Sequence, residues 1–335
     1  MMKRKTAAIL SLLLTVCLLS ACAAVPPTEE EADSGKLQIV ATLFPQYDFA
    51  RTIAGDLADV TLLLPPGAES HSYEPSPADV IRINKADLFI YTGEAMEGWA
   101  ASILSGLEGD PVILDISEGI ALQKEADEHE EHEHEEHEHE SEHAHEDGGD
   151  RHAHNTHVHD VDPHIFTSPR RALQMAQHLE DTLCEIDPQN SAVYRAHGAD
   201  LRGELAALDA EFTAITQNAV RHKLIFGGRF AFGYFVADYG LAYDSAYDSC
   251  SSETEPAAAD VARLIDEVRG EKIPVVYYEE LSNPKIAQLI CDETGAKPLL
   301  LHSCHNISKD ELQGGATYLS LMRQNAEHVK EGLCR

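Results

Sequence analysis

Histidine supplies the chemistry to weigh first. His71 stands in the segment Gly67-Ala68-Glu69-Ser70-His71-Ser72-Tyr73-Glu74-Pro75-Ser76-Pro77, and His164 in Asp160-Val161-Asp162-Pro163-His164-Ile165-Phe166. Neutral imidazole is a good Zn²⁺ ligand at about 2.0–2.1 Å, and four ligands close a tetrahedral site. One histidine on each of two loops, far apart in sequence, would let the fold hold each ring independently. A lone loop histidine is more often solvated or hydrogen-bonded within the protein, and spacing by itself does not bring these two together. A second group is denser: His129, His132, His134, His137, His139, His143 and His145 alternate with glutamates, and His152, His154, His157 and His159 follow. Such a run reads as an auxiliary, multi-site, weak chelator. Each of its sites is weakened by ordering entropy and releases metal on protonation below about pH 6.5.

The elements that must position these residues follow from periodicity. Alternating β-branched runs predict strands at Leu37 to Leu43, Val60 to Leu64, Asp87 to Tyr91 and Val112 to Leu114. Helices are expected between them at Phe44 to Ala54, Pro77 to Lys85 and Met96 to Leu107. Pro77 suits a first helical turn, so His71 falls in a loop between a strand and a helix, where parallel sheets place binding groups. Ser168 to Ile186 and Asn190 to Gln217 read as a long helical spine. Alternation resumes with strands at Lys223 to Phe226, Leu241 to Ser245, Pro274 to Tyr278 and Pro298 to His302. Helices are expected at Ala231 to Asp238, Ala257 to Val268, Pro284 to Thr294 and Glu311 to Glu331. The fold class is therefore α/β: two lobes with parallel-type sheets flanked by helices, joined by a long helical spine. The expected organisation is a signal peptide over 1–21, a lipidated tether over 22–36 and an N-terminal α/β lobe over 37–165. That lobe contains a disordered His/Glu-rich insert over 125–159. A helical spine over 166–219 and a C-terminal α/β lobe over 220–335 complete the chain.

The ends and the charge narrow the setting. Lys3, Arg4 and Lys5 precede an apolar run from Ala7 to Leu19 that is too short to span a bilayer. Leu19-Ser20-Ala21-Cys22 then resembles a bacterial lipobox, predicting lipidation at Cys22 and an extracytoplasmic protein anchored to the cell membrane. The formal charge of the 335 residues is −33, and Glu125 to Asp150 holds 14 acidic residues with no Lys or Arg, so the remainder still carries −33 + 14 = −19. A nucleic-acid partner is excluded on that sign, and cation handling fits it. Of seven cysteines, Cys17 leaves with the signal and Cys22 is lipidated. A disulfide Cys250–Cys304 is the preferred pairing, since both residues follow expected strand ends. Cys184–Cys334 is weaker, and Cys291 reads as a buried thiol.

Taken together, Gly67 to Pro77, Ala86 to Gly93 with Glu97 and Trp99, and Asp162-Pro163-His164 resemble the zinc and manganese binding proteins of bacterial metal ABC transporters that have a helical spine between lobes. Phe232-Gly233-Tyr234-Phe235, Tyr239-Gly240-Leu241 and Glu253-Thr254-Glu255-Pro256 continue the likeness from about Leu37 to the C-terminus. The resemblance carries the family's first two metal histidines onto His71 and His164. It puts Arg229, which has no lone pair to offer, where the family has its third ligand, and His302 where the family has an acidic fourth. The expected site is then His71, His164 and His302. Glu279 is the first candidate for the remaining position, with a salt bridge to Arg229 as its equal alternative; water, His305 and Cys304 are lesser candidates. A three-histidine set suits Zn²⁺ better than Mn²⁺, and a His-rich loop at this place goes with zinc in the resembling family.

The function this implies is the extracytoplasmic component of a zinc ABC importer. It takes Zn²⁺ in the cleft between lobes and delivers it to a membrane permease, as a monomer held to the membrane by its lipid. The alternatives are a manganese-binding transport protein, a surface adhesin or metal buffer, and a zinc hydrolase using metal-bound water. No His-Glu-x-x-His helix and no nucleophile elbow accompany the histidines, so the reading is of a protein that is not an enzyme.

Overall fold

Short apolar runs form the central strands, flanked by less buried edge strands, and each strand is followed by a segment with a helical apolar stripe, so the chain winds into parallel sheets. The computed structural model describes residues 35–70, 72–123, 161–247 and 256–335. His71, Cys250, the expected signal peptide, Cys22 and the His/Glu-rich insert lie outside the described residues. β1 (Leu37–Ala41), β2 (Ala58–Leu62), β3 (Leu88–Tyr91) and β4 (Val112–Asp115) make one sheet in the order β2-β1-β3-β4, all pairs parallel. β5 (Lys223–Phe226), β6 (Ala242–Ser245), β7 (Val275–Tyr278) and β8 (Lys297–Leu300) repeat the pattern in the order β6-β5-β7-β8. Each sheet changes winding direction at its middle, between β1 and β3 and between β5 and β7, and such switch points open a crevice at the carboxyl ends of the strands.

Local sequence explains the helices. α1 (Phe44–Ala54) buries Phe44, Phe49, Ala50, Ile53 and Ala54 on one side and ends at Gly55, whose φ of 55° suits a residue without Cβ. α2 (Pro77–Lys85) opens with a Ser76–Asp79 capping box and Pro77 in its first turn. α3 (Ala100–Leu104) is shorter than the helix expected from Met96 to Leu107; Glu97 faces inward instead, where Thr92 N–H donates to its Oε2 at 3.0 Å. α4 (Pro169–Ile186) buries Ala172, Met175, Ala176, Leu179 and Leu183, and α5 (Ser191–Gln217) buries Tyr194, Leu201, Leu205, Leu208, Phe212 and Ile215. The expected spine is thus two packed helices turning at Asp187-Pro188, where proline and the residue before it disfavour helix continuation. α5 approaches α4 tightly at Gly198, where a Cβ would sit 2.1 Å from Glu180 Oε2.

In the second half, α6 (Gly233–Tyr239), α7 (Ala258–Glu271) and α8 (Lys285–Thr294) link the strands. The single last helix expected from Glu311 to Glu331 is instead α9 (Lys309–Gln313) and α10 (Tyr318–Leu333). Gly314 and Gly315, the latter at φ 78°, break it, and Thr317 caps the restart by accepting from Ser320 N–H. One apolar cluster runs without interruption from Ile39 and Phe49 through Leu179, Leu205 and Phe212 to Phe226, Tyr318 and Val329. The two sheets therefore share a core with the helices between them. No helix among the described residues is long and apolar enough to cross a membrane.

The switch point of the first sheet is filled by a closed polar network. Gln46 Oε1 accepts from Thr42 N–H (3.0 Å) and from Leu43 N–H (3.1 Å), and Gln46 Nε2 donates to Thr92 Oγ1 at 2.5 Å. Thr42 Oγ1 touches both Gln46 Oε1 and Glu97 Oε1. One hydroxyl proton cannot serve two acceptors, so a protonated Glu97 completes the network. Burial pushes its carboxyl up to about 8, which agrees.

Two outcomes follow. Glu97 keeps its proton in the folded chain and loses it near its ordinary 4.5 in the unfolded chain. Wild-type stability should therefore fall between pH 4.5 and about 8, by up to about 1.4 kcal/mol per pH unit. Glu97→Gln, which keeps the donor and the acceptor, should remove that slope in denaturant titrations across this range, and an unchanged slope would reject the protonated carboxyl. Phe212 is fully buried between α5 and α6, with its ring 4.9 Å from that of Phe235. Phe212→Ala should cost about 3–5 kcal/mol; a loss under about 1 kcal/mol in urea unfolding would mean the ring is not packed as described.

Candidate metal site

The second switch point holds the titratable groups. Arg229 follows β5, Glu279 and Glu280 follow β7, and His302 to His305 follow β8, so all leave the carboxyl ends of parallel strands. The loop that carries residue 71, after β2, is joined to them. Gly67 N–H donates to Ile307 O at 2.9 Å, and Asn306 Nδ2 reaches Pro65 O at 3.4 Å and also Ala68 O. Arg229 Nη1 lies 3.2 Å from Glu69 Oε2. His164 enters from the segment just ahead of α4.

His164 is buried, and Asp162 Oδ1 takes both its backbone N–H (2.9 Å) and its ring Nδ1 (2.8 Å). A carboxylate acceptor puts the ring proton on Nδ1 and so a lone pair on Nε2. The Phe232-Gly233-Tyr234-Phe235 motif builds this support. Tyr234 Oη donates to Asp162 O at 2.5 Å, and a Cβ on Gly233 would sit 2.3 Å from Asp162 Oδ2. Only glycine fits there.

His305 is held in a different way. Ser303 Oγ lies 2.6 Å from Glu280 Oε1 and 2.5 Å from His305 Nδ1, and Ser303 N–H donates to Glu280 Oε2 at 2.7 Å. The hydroxyl gives its one proton to the carboxylate, so it accepts from Nδ1–H, and His305 too carries its lone pair on Nε2. The His164 and His305 ring centroids are 6.3 Å apart. Burial holds the His305 imidazole below its usual pKa, which keeps it neutral.

Glu279 is buried and its Oε1 has no hydrogen-bond partner. Burial, reinforced by neighbouring Glu280, pushes its carboxyl up to about 8, against the opposing pull of His164, the Ala231 N–H and Arg229. Glu280 goes the other way. Burial would raise it, but His302, His305 and the Ser303 bonds hold it below the ordinary carboxylate range. Two adjacent buried carboxyls thus divide into one neutral and one charged.

These positions revise the expected site. Glu279 and His164 share one environment. The alternative bridge from Glu279 to Arg229 is not formed among the described residues, since Arg229 pairs with Glu69. His302 does not join them. Its Nδ1 accepts Cys304 N–H at 3.0 Å, and its Nε2 faces Glu311 Oε1 at 3.6 Å. Its backbone is clamped to α10 through Asn325, with bonds of 2.8 and 2.7 Å. Its Nδ1 lone pair is taken by the Cys304 N–H, and its Nε2 is buried with no hydrogen-bond partner. The residue brought to His164 is instead His305. A sequence signal for it existed: counting back from the Ser308–Glu311 capping box that opens α9, rather than forward from the strand, reaches His305 first.

Cys304 is a free, fully buried thiol, its Sγ 3.7 Å from His302 O, and the Cys250 expected to pair with it lies outside the described residues. Cys184, Cys291 and Cys334 are free as well, and Cys291 is buried. Among the described residues no three His, Cys, Asp or Glu side chains stand close enough to hold a metal ion. Tetrahedral zinc would hold two imidazole centroids about 5 Å apart, about an ångström closer than the His164–His305 pair stands.

Comparison with known proteins bears on this arrangement. Residues 39–332 match the family described as zinc-uptake complex component A, periplasmic. The high-affinity zinc uptake system protein ZnuA of Bacillus subtilis is 33 % identical over 319 residues, 94 % of each chain. The zinc-binding lipoprotein AdcA of Streptococcus pneumoniae is 32 % identical over 320 residues, which cover 95 % of this chain and 60 % of AdcA. Among solved structures, the metal-dependent lipoprotein YcdH of B. subtilis superposes with a TM-score of 0.72 at 29 % identity, covering 90 % of this chain and 100 % of that one. The Zn(II)-bound ZnuA-like domain of S. pneumoniae AdcA does so with a TM-score of 0.71 at 28 % identity, with the same coverage. With a match over nearly the whole chain downstream of the expected tether, and a fold shared with a zinc-bound relative, this chain belongs to the ZnuA family, the periplasmic component A of zinc-uptake complexes.

Proposed function

We propose that this protein is the extracytoplasmic, zinc-capturing component of an ABC importer, and that it holds Zn²⁺ through His71, His164, His305 and Glu279. The observation that carries the ligand set is the buried, unpartnered Glu279 Oε1 in the same crevice as His164, with His305 beside that histidine. An isolated buried carboxylate is costly unless a cation meets it, and zinc accepts a carboxylate beside imidazoles. The contribution of His71 rests on the family resemblance and on the anchoring of its loop to the His305 loop. Three imidazoles and one carboxylate favour Zn²⁺ over Mn²⁺, which prefers more oxygen. Capture and release, rather than turnover, is the work that goes with this family.

The remaining parts of the reading complete the importer. A membrane ABC permease receives the ion, and the lipid on Cys22 keeps the protein, a monomer, at the membrane surface near it. The histidines from His129 to His145 act as an auxiliary weak chelator that raises the local zinc supply. Arg229, in place of a third imidazole, contributes no bond to the metal. It joins the Glu69 loop to the second sheet and offsets part of the site's negative charge.

Zinc titration in competition with a chromophoric chelator tests the ligand set. His164→Ala, His305→Ala and Glu279→Gln should each weaken binding by at least about 100-fold. His302→Ala should lower stability yet keep zinc affinity within a few-fold. Loss of binding in His302→Ala, with binding retained in His305→Ala, would restore the site expected from the sequence. A crystal of the zinc-loaded protein scanned across the zinc absorption edge identifies the ion and its four neighbours directly.

A further inference from the structure

We infer that Glu280, acting through the Ser303 hydroxyl, is a positioning residue for zinc: it fixes His305 as the Nδ1–H tautomer and thereby makes that ring a ligand. The inference rests on the reading of His305 as a zinc ligand and goes beyond it by naming what prepares the ring. An imidazole binds metal through one nitrogen only, and the bond made by the other nitrogen decides which one carries the lone pair. At His164 that partner is a carboxylate in direct contact, Asp162 Oδ1 at 2.8 Å. At His305 the nearest carboxylate oxygen, Glu280 Oε1, is 3.4 Å from Nδ1, too far for a good bond, and Ser303 Oγ fills the gap.

Hydrogen counting gives the relay its direction. Both Glu280 oxygens act as acceptors toward Ser303. Oε2 takes Ser303 N–H at 2.7 Å and Oε1 takes Ser303 Oγ–H at 2.6 Å. The hydroxyl has no second proton, so the 2.5 Å contact with His305 must be Nδ1–H donating to Oγ. All three residues are shielded from water, with Ser303 fully buried and Glu280 and His305 at 8 % and 9 % exposure. Solvent therefore does not scramble the tautomer. The backbone makes the contact geometrically available. Cys304, between Ser303 and His305, has φ 68°, a left-handed conformation that turns the chain back so that residue 305 meets residue 303. Glu280 also lies 3.7 Å from His302 Nδ1. Because that nitrogen already accepts Cys304 N–H, the carboxylate's one strong hydroxyl partner remains Ser303. The same short loop thus presents one histidine to the metal and withholds the other.

The test uses the full chain and zinc itself. Ser303→Ala should weaken zinc binding about 10–100-fold, and Glu280→Gln should do likewise, because its amide must aim an N–H either at Ser303 N–H or at the hydroxyl oxygen and cannot accept both Ser303 protons. Ser303→Thr, which keeps the hydroxyl, should bind as the wild type does. In the zinc-free wild type, a long-range proton–nitrogen NMR spectrum should show His305 protonated at Nδ1. Protonation at Nε2 would overturn the inference without any variant having to fold. Wild-type affinity in Ser303→Ala together with lost affinity in His305→Ala would also overturn it while leaving the ligand set standing. Wild-type affinity in His305→Ala would remove both.

Discussion

A histidine can hold a metal only through a nitrogen that has no proton, so something must hold the proton on the other nitrogen. Much of the architecture around the second sheet serves that requirement. Asp162 does it for His164, and it is itself fixed by Tyr234 Oη and by the bare Cα of Gly233. Ser303 and Glu280 do it for His305. His302, three residues from His305, is held otherwise: its Nδ1 takes a backbone N–H, and its Nε2 lies 3.6 Å from Glu311 Oε1. On the proposed ligand set, tautomer rather than residue type separates ligand from bystander.

Two adjacent carboxyls at the end of β7 obey a related constraint. Both are buried, and two uncompensated charges side by side in a low-dielectric interior would be prohibitive. Glu280 accepts both protons of Ser303, whereas burial raises the Glu279 carboxyl to about 8. The backbone nearby carries strain in keeping with this. Of the three non-glycine residues with left-handed φ among the described residues, Lys272 closes α7, while Leu281 and Cys304 sit in the Glu279 and His305 loops. Such strain persists only where the surrounding structure over-determines it.

The shared core sets the scale of motion. α4 and α5 are packed along their lengths, and the apolar cluster runs through them from one sheet to the other. Large hinge opening would tear that cluster, whereas the roughly ångström closure between the His164 and His305 rings needs only loop adjustment. The first sheet adds rigidity at its own switch point, where a neutral Glu97 completes the network of Thr42, Gln46 and Thr92. Equivalent crevices in the two sheets therefore differ: one is closed by a satisfied polar network, and the other holds a buried carboxyl oxygen without a hydrogen-bond partner.

By itself the sequence determined the class of the fold, because alternation of short apolar strands with striped helices has few other solutions. It also determined the family, through Gly67 to Pro77, Asp162-Pro163-His164 and Phe232 to Phe235, and the two ends of α4 and α5, because prolines and apolar stripes act locally. The start of α2 at Pro77 was legible for the same reason. Tertiary structure alone decided which histidine after β8 faces His164. Residues 302 and 305 are the same amino acid in the same loop, and what distinguishes them is contact with Asn325, Glu311, Glu280 and Ser303. Most of these partners come from other elements, which no local pattern predicts. Likewise only the fold shows that Arg229 turns to Glu69 and not to Glu279, whose Oε1 has no hydrogen-bond partner, since a salt bridge depends on distances in space that spacing along the chain does not encode.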